Sequence, residues 1–335
     1  MNSTTFNEKM DFNHLEHKFY NSLESQGKSF NTLKNYKTDL TCFKSYLQNK
    51  QGNLSLNDFN FVKVTEYGQF LDQKYESDNS KRRRVQALRL FFDFLIKENL
   101  YEENPIKKLP TSPKFLDVPR PTPFSDLVTL WKYLCLNVQN AKGLEGLLYE
   151  RNQLVFLFIF GGALKVSDLS ELKMEDVLVD HESKSIRVLI RPRKRDPYTI
   201  PMPSLVYEVF KNYIANLQKE KEKSSLVFDH VLFNANPYRI LAGGLSPRGL
   251  EIIFEELREK LKITLTPRSL RQSGIFNWLH KQIDEVNIKE WMGVAPSYSL
   301  KLYRDHQSNH YFKEEVLWEI FKTPQMDIPV SNTIV

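Results

Sequence analysis

The sequence predicts a mainly α-helical protein with a small antiparallel β-sheet, arranged as a helical domain followed by an α+β domain. Three observations carry this expectation. Residues 13 to 109 read as successive amphipathic helices, with apolar residues recurring every three or four positions. Five prolines between Pro110 and Pro123 then interrupt all periodicity. Beyond them, three short segments rich in Val and Ile lie among further helical stretches. With 335 residues, 41% hydrophobic and 26% charged, the chain can build two packed cores.

Residues 1 to 12 are polar and are expected to be loose. From His14, the spacing of Leu15, Phe19 and Leu23 gives one apolar stripe. Gly27-Lys28-Ser29 does not close a phosphate-binding loop, because Ser22 stands where the loop's earlier glycine would be. It reads as a polar turn, with Asn31 or Thr32 capping the next helix. That helix, over 32 to 47, places Leu33, Tyr36, Leu40, Phe43 and Leu47 on one face. A third covers Asn60 to Tyr75. A fourth, Ser80 to Asn99, opens on Lys81-Arg82-Arg83-Arg84, continues through Val85, Leu88, Phe91, Phe92 and Leu95, and stops at Asn104-Pro105. The cationic run reads either as a solvated helix start or as a rim for a polyanion.

Residues 110 to 123 form a linker, semi-extended by its prolines. The second domain, 124 to 322, opens with helices, of which Tyr149 to Gly161 is apolar nearly all round and should be buried. Gly161-Gly162 should end it and Ser167 should cap the next helix, leaving Lys165 in the turn between them. Strands are expected at Asp176 to Val179, Ser185 to Arg191 and Tyr198 to Met202, the last two joined by Pro192-Arg193-Lys194-Arg195-Asp196-Pro197. Further helices should cover Leu205 to Lys219, Gly249 to Leu261, Arg268 to Ile283, Asn287 to Met292, Tyr298 to Tyr303 and Phe312 to Phe321, before a mobile tail from 323 to 335.

Lys plus Arg outnumber Asp plus Glu by 47 to 41, a net charge of +6 that suits a polyanionic partner without demanding one. Cys42 and Cys135 share no metal-ligand spacing, and so few thiols point to a reducing, cytoplasmic compartment. The longest apolar run, Leu154 to Leu164, is far below the roughly 20 residues a membrane helix requires. Nothing in the pattern implies a membrane.

The stretch LTPRSLRQSGIFNWLHKQIDEVNIKEWMGVAPSYSLKLY, residues 265 to 303, resembles the end of the active site of tyrosine recombinases. In that family a His-x-x-Arg box opens a helix, a Gly-His or Gly-Trp pair closes the next, and the nucleophilic tyrosine follows nine residues later. Arg268-Ser269-Leu270-Arg271 stands at the box, Gly293-Val294 at the pair, and Tyr303 nine residues after Val294. The NTLKNYKTDL and RRRVQALRLFFDFLIKENLYEENPIKKL segments are similar to the DNA-clamping core-binding domain of Xer-type recombinases and phage integrases. The turn Ala163-Leu164-Lys165-Val166-Ser167-Asp168-Leu169 matches the one that carries the family's first catalytic arginine, with Lys165 in its place. The hairpin that carries the family's catalytic lysine aligns with Arg193, with Lys194 beside it.

The resemblance implies a site-specific DNA recombinase or integrase, acting through a 3′-phosphotyrosyl intermediate with no cofactor, metal or ATP. Tyr303 would be the nucleophile, and Arg271, Lys165, Arg268, Arg193 and Lys194 would hold the phosphate. Lys81, Arg82, Arg83, Arg84, Arg89 and Arg195 would contact the DNA backbone. Double-stranded DNA would be the partner, with self-association into a tetramer through the C-terminal helix or assembly with a second recombinase. The departures from the pattern matter chemically. Lysine lacks the bidentate fork of arginine, an arginine at 268 cannot carry a proton as histidine does, and Val294 offers no hydrogen bond. Three outcomes stay open: the remaining cations rebuild the cradle; His306, three residues beyond Tyr303, carries the proton instead; or the protein is a catalytically weak or inactive DNA-binding relative with a regulatory, element-maintenance or partner role.

Overall fold

The computed structural model describes residues 11–56, 59–108, 118–192, 195–236 and 238–307. The chain divides into two units, Met1–Phe115 and Leu116–Val335, each with its own core. The fold is mostly helical with small antiparallel sheets, as its periodicity predicts. Among the described residues, no helix is long and apolar enough to cross a membrane.

The first unit is built from α1 (Phe12–Ser25), α2 (Phe30–Gln51), α3 (Phe61–Lys74) and α4 (Asp78–Lys97), followed by a 3₁₀ turn at Pro105–Lys108. The side chain of Asp11 caps α1 and that of Asn60 caps α3. On α2 the cap is Ser29, whose Oγ accepts from the Thr32 amide at 3.3 Å, and not Asn31 or Thr32 as expected. The predicted faces close on an aromatic core. Phe43 meets Phe59 edge-on at 4.9 Å, and Phe59 stacks on Phe92 at 5.5 Å. Each such pair adds about 0.5–1.5 kcal/mol beyond its area burial.

The second unit is wound around α6 (Gly143–Gly162), buried almost continuously from Gln153 onward and packed against α5 (Phe124–Asn140), α8 (Leu205–Ser224) and α10 (Pro267–His280). The helix begins earlier than its apolar stretch suggested and runs through Gly161 and Gly162. It ends at Gly162, as the glycine pair suggested, with Ala163 as the C-cap; the glycines also make room for Pro203 and Met202, whose side chains a Cβ at 161 or 162 would strike. Gly274 of α10 likewise lies where any Cβ would collide with the Phe160 carbonyl, so the two helices approach backbone to backbone.

A three-stranded antiparallel sheet, ordered β1 (Val177–Asp180), β2 (Ser185–Ile190), β3 (Tyr198–Pro201), follows the short helix α7 (Val166–Glu171). Its register pairs Val177 with Val188 and Val188 with Ile200. A second hairpin, β4 (Phe233–Ala235) with β5 (Ile240–Gly244), falls where no strand was expected. The unit is completed by α9 (Pro247–Leu261), α11 (Glu285–Trp291) and α12 (Lys301–Gln307). Residues 1–10, residues 110–117 of the proline-rich linker, the helix Phe312 to Phe321 and the tail lie outside the described residues, while Asp11 and Phe12, expected to be loose, cap and begin α1 with Phe12 fully buried.

Candidate active site

Three chain turns assemble the site. The first follows α6, where Ala163 takes the left-handed conformation at φ 45° and ends the helix. Lys165 is then the N-cap residue of α7, and its amide donates to the Asp168 carboxylate at 3.2 Å. Ser167, the expected cap, is the second residue of the helix.

The second turn is the start of α10. Thr266 and Ser269 exchange side-chain and backbone hydrogen bonds at 2.9 Å, and Pro267 fills the first helical position, where its missing N–H costs nothing. The last residues of the expected linker dock on this turn: the Arg120 amide donates to Gln272 Oε1 at 2.9 Å, and the Thr122 and Ser269 hydroxyls share a hydrogen bond at 2.8 Å. The helix therefore starts at a fixed place, with Arg268 exposed on its first turn and Arg271 a turn further on.

The third turn ends α11, which an edge-on pair of Trp278 and Trp291 at 5.1 Å holds against α10. Gly293, at φ 65°, reverses the chain there. The three carbonyl and Cα positions of this reversal organise four side chains. Met292 O accepts from Arg271 Nη2 at 2.9 Å, and Val294 O accepts from Arg195 Nη1 at 3.1 Å. A Cβ on Gly293 would lie 2.8 Å from the Tyr198 hydroxyl and 3.0 Å from Lys165 Nζ. Arg195 also lies over the Tyr198 ring, 5.6 Å from its centroid.

Arg271 has a second anchor, its Nε donating to Ala163 O at 2.6 Å. Two of the five N–H donors of a guanidinium are thus spent on main-chain carbonyls. Burial lowers the pKa of Arg271 and that of Lys165; for Lys165, Asp168 works against burial while Arg271 and Arg195 add to it.

Tyr303 is on α12, only 7% exposed, its ring tilted against Phe276 of α10 at 5.4 Å. Burial, with Tyr298 nearby, raises its pKa; Arg271, Arg268 and a hydrogen bond from Gln272 pull it back toward the phenolate. A tyrosine within electrostatic reach of two guanidiniums suits attack on a phosphodiester, because the cations that steady the phenolate can also hold an incoming phosphate.

The structure therefore brings Tyr303, Arg271, Arg268 and Lys165 into one neighbourhood. Arg193 and Lys194 lie outside the described residues. Arg195, expected among DNA-backbone contacts, is bonded into the cradle at Val294 O. His306 turns its Nδ1 to Leu302 O at 3.0 Å, a bond within its own helix. Sequence reasoning missed Tyr198, Asp168 and Gln272. Tyr198 shared its strand face with buried Ile200, and a tyrosine on a buried face calls for a polar partner. Among the described residues, no group of three His, Cys, Asp or Glu side chains could hold a metal ion.

The cationic run of α4 divides. Lys81 pairs with Asp72 at 2.9 Å and Asp78 at 3.4 Å, and Arg83 pairs with buried Asp39 at 2.9 Å. Arg84 is not on a rim at all. It is 8% exposed, stacked 3.8 Å from the Tyr75 ring centroid, with Nη1 on Ser80 O. Arg89 reaches the Ile106 carbonyl at 3.3 Å, and Arg82 is half-buried.

A helical unit followed by an α+β unit whose tyrosine stands in an arginine-rich cradle defines the tyrosine recombinase class. Residues 137–310 match the profile described as the phage integrase family, and residues 17–99 match its N-terminal SAM-like domain. The chain belongs to the phage integrase family. It is 23% identical over 311 residues to Tyrosine recombinase XerC of Listeria welshimeri, covering 89% of this chain and 96% of that protein. Against Tyrosine recombinase XerC of Bacillus licheniformis it is 26% identical over 282 residues, covering 81% and 84%. The fold matches a lambda integrase dimer bound to a COC′ core site, with TM-score 0.65, 15% identity, and 94% and 83% of the two chains covered. It also matches the XerH site-specific recombinase bound to palindromic difH substrate, with TM-score 0.65, 15% identity, and 90% and 85% covered.

Proposed function

We propose that the protein is a site-specific DNA recombinase that cleaves and rejoins double-stranded DNA through a 3′-phosphotyrosyl link at Tyr303. Family membership supports the reaction class. The observation that carries the residue assignment is the cluster of Tyr303 with Arg271 and Arg268, beside Lys165. In this reading the Tyr303 oxygen attacks phosphorus in line. Arg271, anchored by Ala163 and Met292, presents its remaining N–H groups to the non-bridging oxygens, with Arg268 and Lys165 completing the charge. The bond energy is kept in the phosphotyrosyl link, so a second 5′-hydroxyl can attack it and restore a phosphodiester.

Residues 13–109 act as a DNA clamp and residues 124–322 as the catalytic domain. Self-association on DNA, as a tetramer on two sites through the helix expected at Phe312 to Phe321, belongs to the same reading; it is supported by the dimer in the lambda integrase complex. The test is a nicked duplex carrying a site selected from random DNA by the full-length chain. A covalent protein–DNA band that disappears in Tyr303→Phe is expected. A bound site that never gives that band overturns the reading.

A further inference from the structure

Strand cleavage also needs an acid, because the 5′-oxygen would otherwise leave as an alkoxide. The guanidiniums of Arg271, Arg268 and Arg195 hold their protons at any ordinary pH, so they grip and do not donate. Val294 is aliphatic, and His306 bonds through Nδ1 to Leu302 O of its own helix, leaving only Nε2, which no contact ties to the cradle among the described residues. Tyr298 is 39% exposed and lies on the side of Tyr303, the attacking residue. Among the described residues of the cradle, the Tyr198 hydroxyl and the Lys165 ammonium remain, and both converge on the open face of Gly293.

We propose that Tyr198 is the proton donor of strand cleavage, passing its phenolic proton to the departing 5′-oxygen and recovering one from Lys165. This rests on the recombinase reading above. Tyr303 oxygen forms the new bond to phosphorus, and the bond from phosphorus to the 5′-oxygen breaks. The 5′-oxygen's electron pair takes the Tyr198 proton, Lys165 restores it, and the proton lost by Tyr303 returns to Lys165 through solvent. Three features of the molecule fit this role. Gly293 lacks the side chain that would separate the two groups. Burial, Asp168 and Glu290 hold the Tyr198 proton in place between turnovers, and Arg195 and Arg271, both within electrostatic reach, offset part of the cost of the phenolate formed in passing. Tyr198 also lines a groove of about 510 Å³ with Arg195, Lys289, Val294 and Pro296, which gives the otherwise buried ring an approach from solvent.

The test uses the selected nicked duplex in two forms, one with the natural 5′-bridging oxygen and one with sulfur at that atom. A thiolate leaves without a proton, so the sulfur substrate bypasses any acid. Tyr198→Phe is expected to form covalent adduct at least about a hundredfold more slowly than wild type on oxygen and close to wild type on sulfur. Tyr198→His, which keeps a donor, is expected to fall between wild type and Tyr198→Phe on oxygen. Equal losses on both substrates, or no loss on oxygen, overturn the proposal. No adduct from the wild-type chain on either substrate overturns the recombinase reading and this proposal with it.

Discussion

The guanidinium Nε of Arg271 donates to the carbonyl oxygen of Ala163 at 2.6 Å, joining residues 108 positions apart. The bond locks the first turns of α10 to the end of α6, and the bond to Met292 O adds the end of α11. One side chain thus fixes the mutual placement of three helices while presenting its free edge to a ligand. Arg271→Lys keeps the charge but cannot span both carbonyls, so adduct formation should fall about 10²- to 10³-fold. Gel-shift affinity for the selected duplex should change far less. A variant with near wild-type cleavage would contradict this role.

Gly293→Ala should fail for two separate reasons. The left-handed backbone costs a Cβ-bearing residue about 1–2 kcal/mol, and the new methyl would press on Tyr198 Oη and Lys165 Nζ. Thermal unfolding should show that modest loss of stability. Cleavage should drop by about tenfold or more beyond what the stability change explains.

Asp168 helps to keep Lys165 charged against burial. Burial lowers the Lys165 pKa below its ordinary 10.5, and Asp168 opposes the shift. A cradle lysine works only while protonated, so cleavage should decline as pH rises through that lowered pKa. Asp168→Asn keeps an acceptor for the Lys165 amide but removes the negative charge. The descending limb of the pH–rate profile should therefore move to lower pH. An unmoved limb, or one moved upward, would separate Lys165 from the reaction.

The cationic run of α4 should split by position. Arg84→Ala removes the cation stacked on Tyr75 and should destabilise the first unit by about 1–2 kcal/mol, read by denaturant unfolding. Arg82→Ala should leave that midpoint in place and reduce the slope of log affinity against log salt by about one.

Much of this was legible locally. The stripe of Leu15, Phe19 and Leu23 is buried, and the frame from Arg268 to Tyr303 does gather around one cradle. Arg84 could have been placed as well: it is one turn before Leu88 and two before Phe91, so the helical period assigns it to the core face. Reading the run by its charge alone obscured that.

The rest depends on long-range packing. Nothing in residues 163 or 292 to 294 announces that their carbonyls will hold Arg271 and Arg195, because any residue supplies a carbonyl. The β4–β5 hairpin is short and glycine-bearing, so its alternation is too weak to register. Tyr198 shares the open face of Gly293 with Lys165 only because β3 packs beside α11.

The central claim is that Tyr303 is the residue that becomes joined to DNA. Nuclease trimming of the covalent adduct, followed by trypsin digestion and mass spectrometry, reads the attachment site directly. Trypsin releases Leu302-Tyr303-Arg304 as a separate peptide. The account predicts a nucleotide phosphate on the tyrosine of that peptide. Modification at any other residue, Tyr298 included, would contradict it.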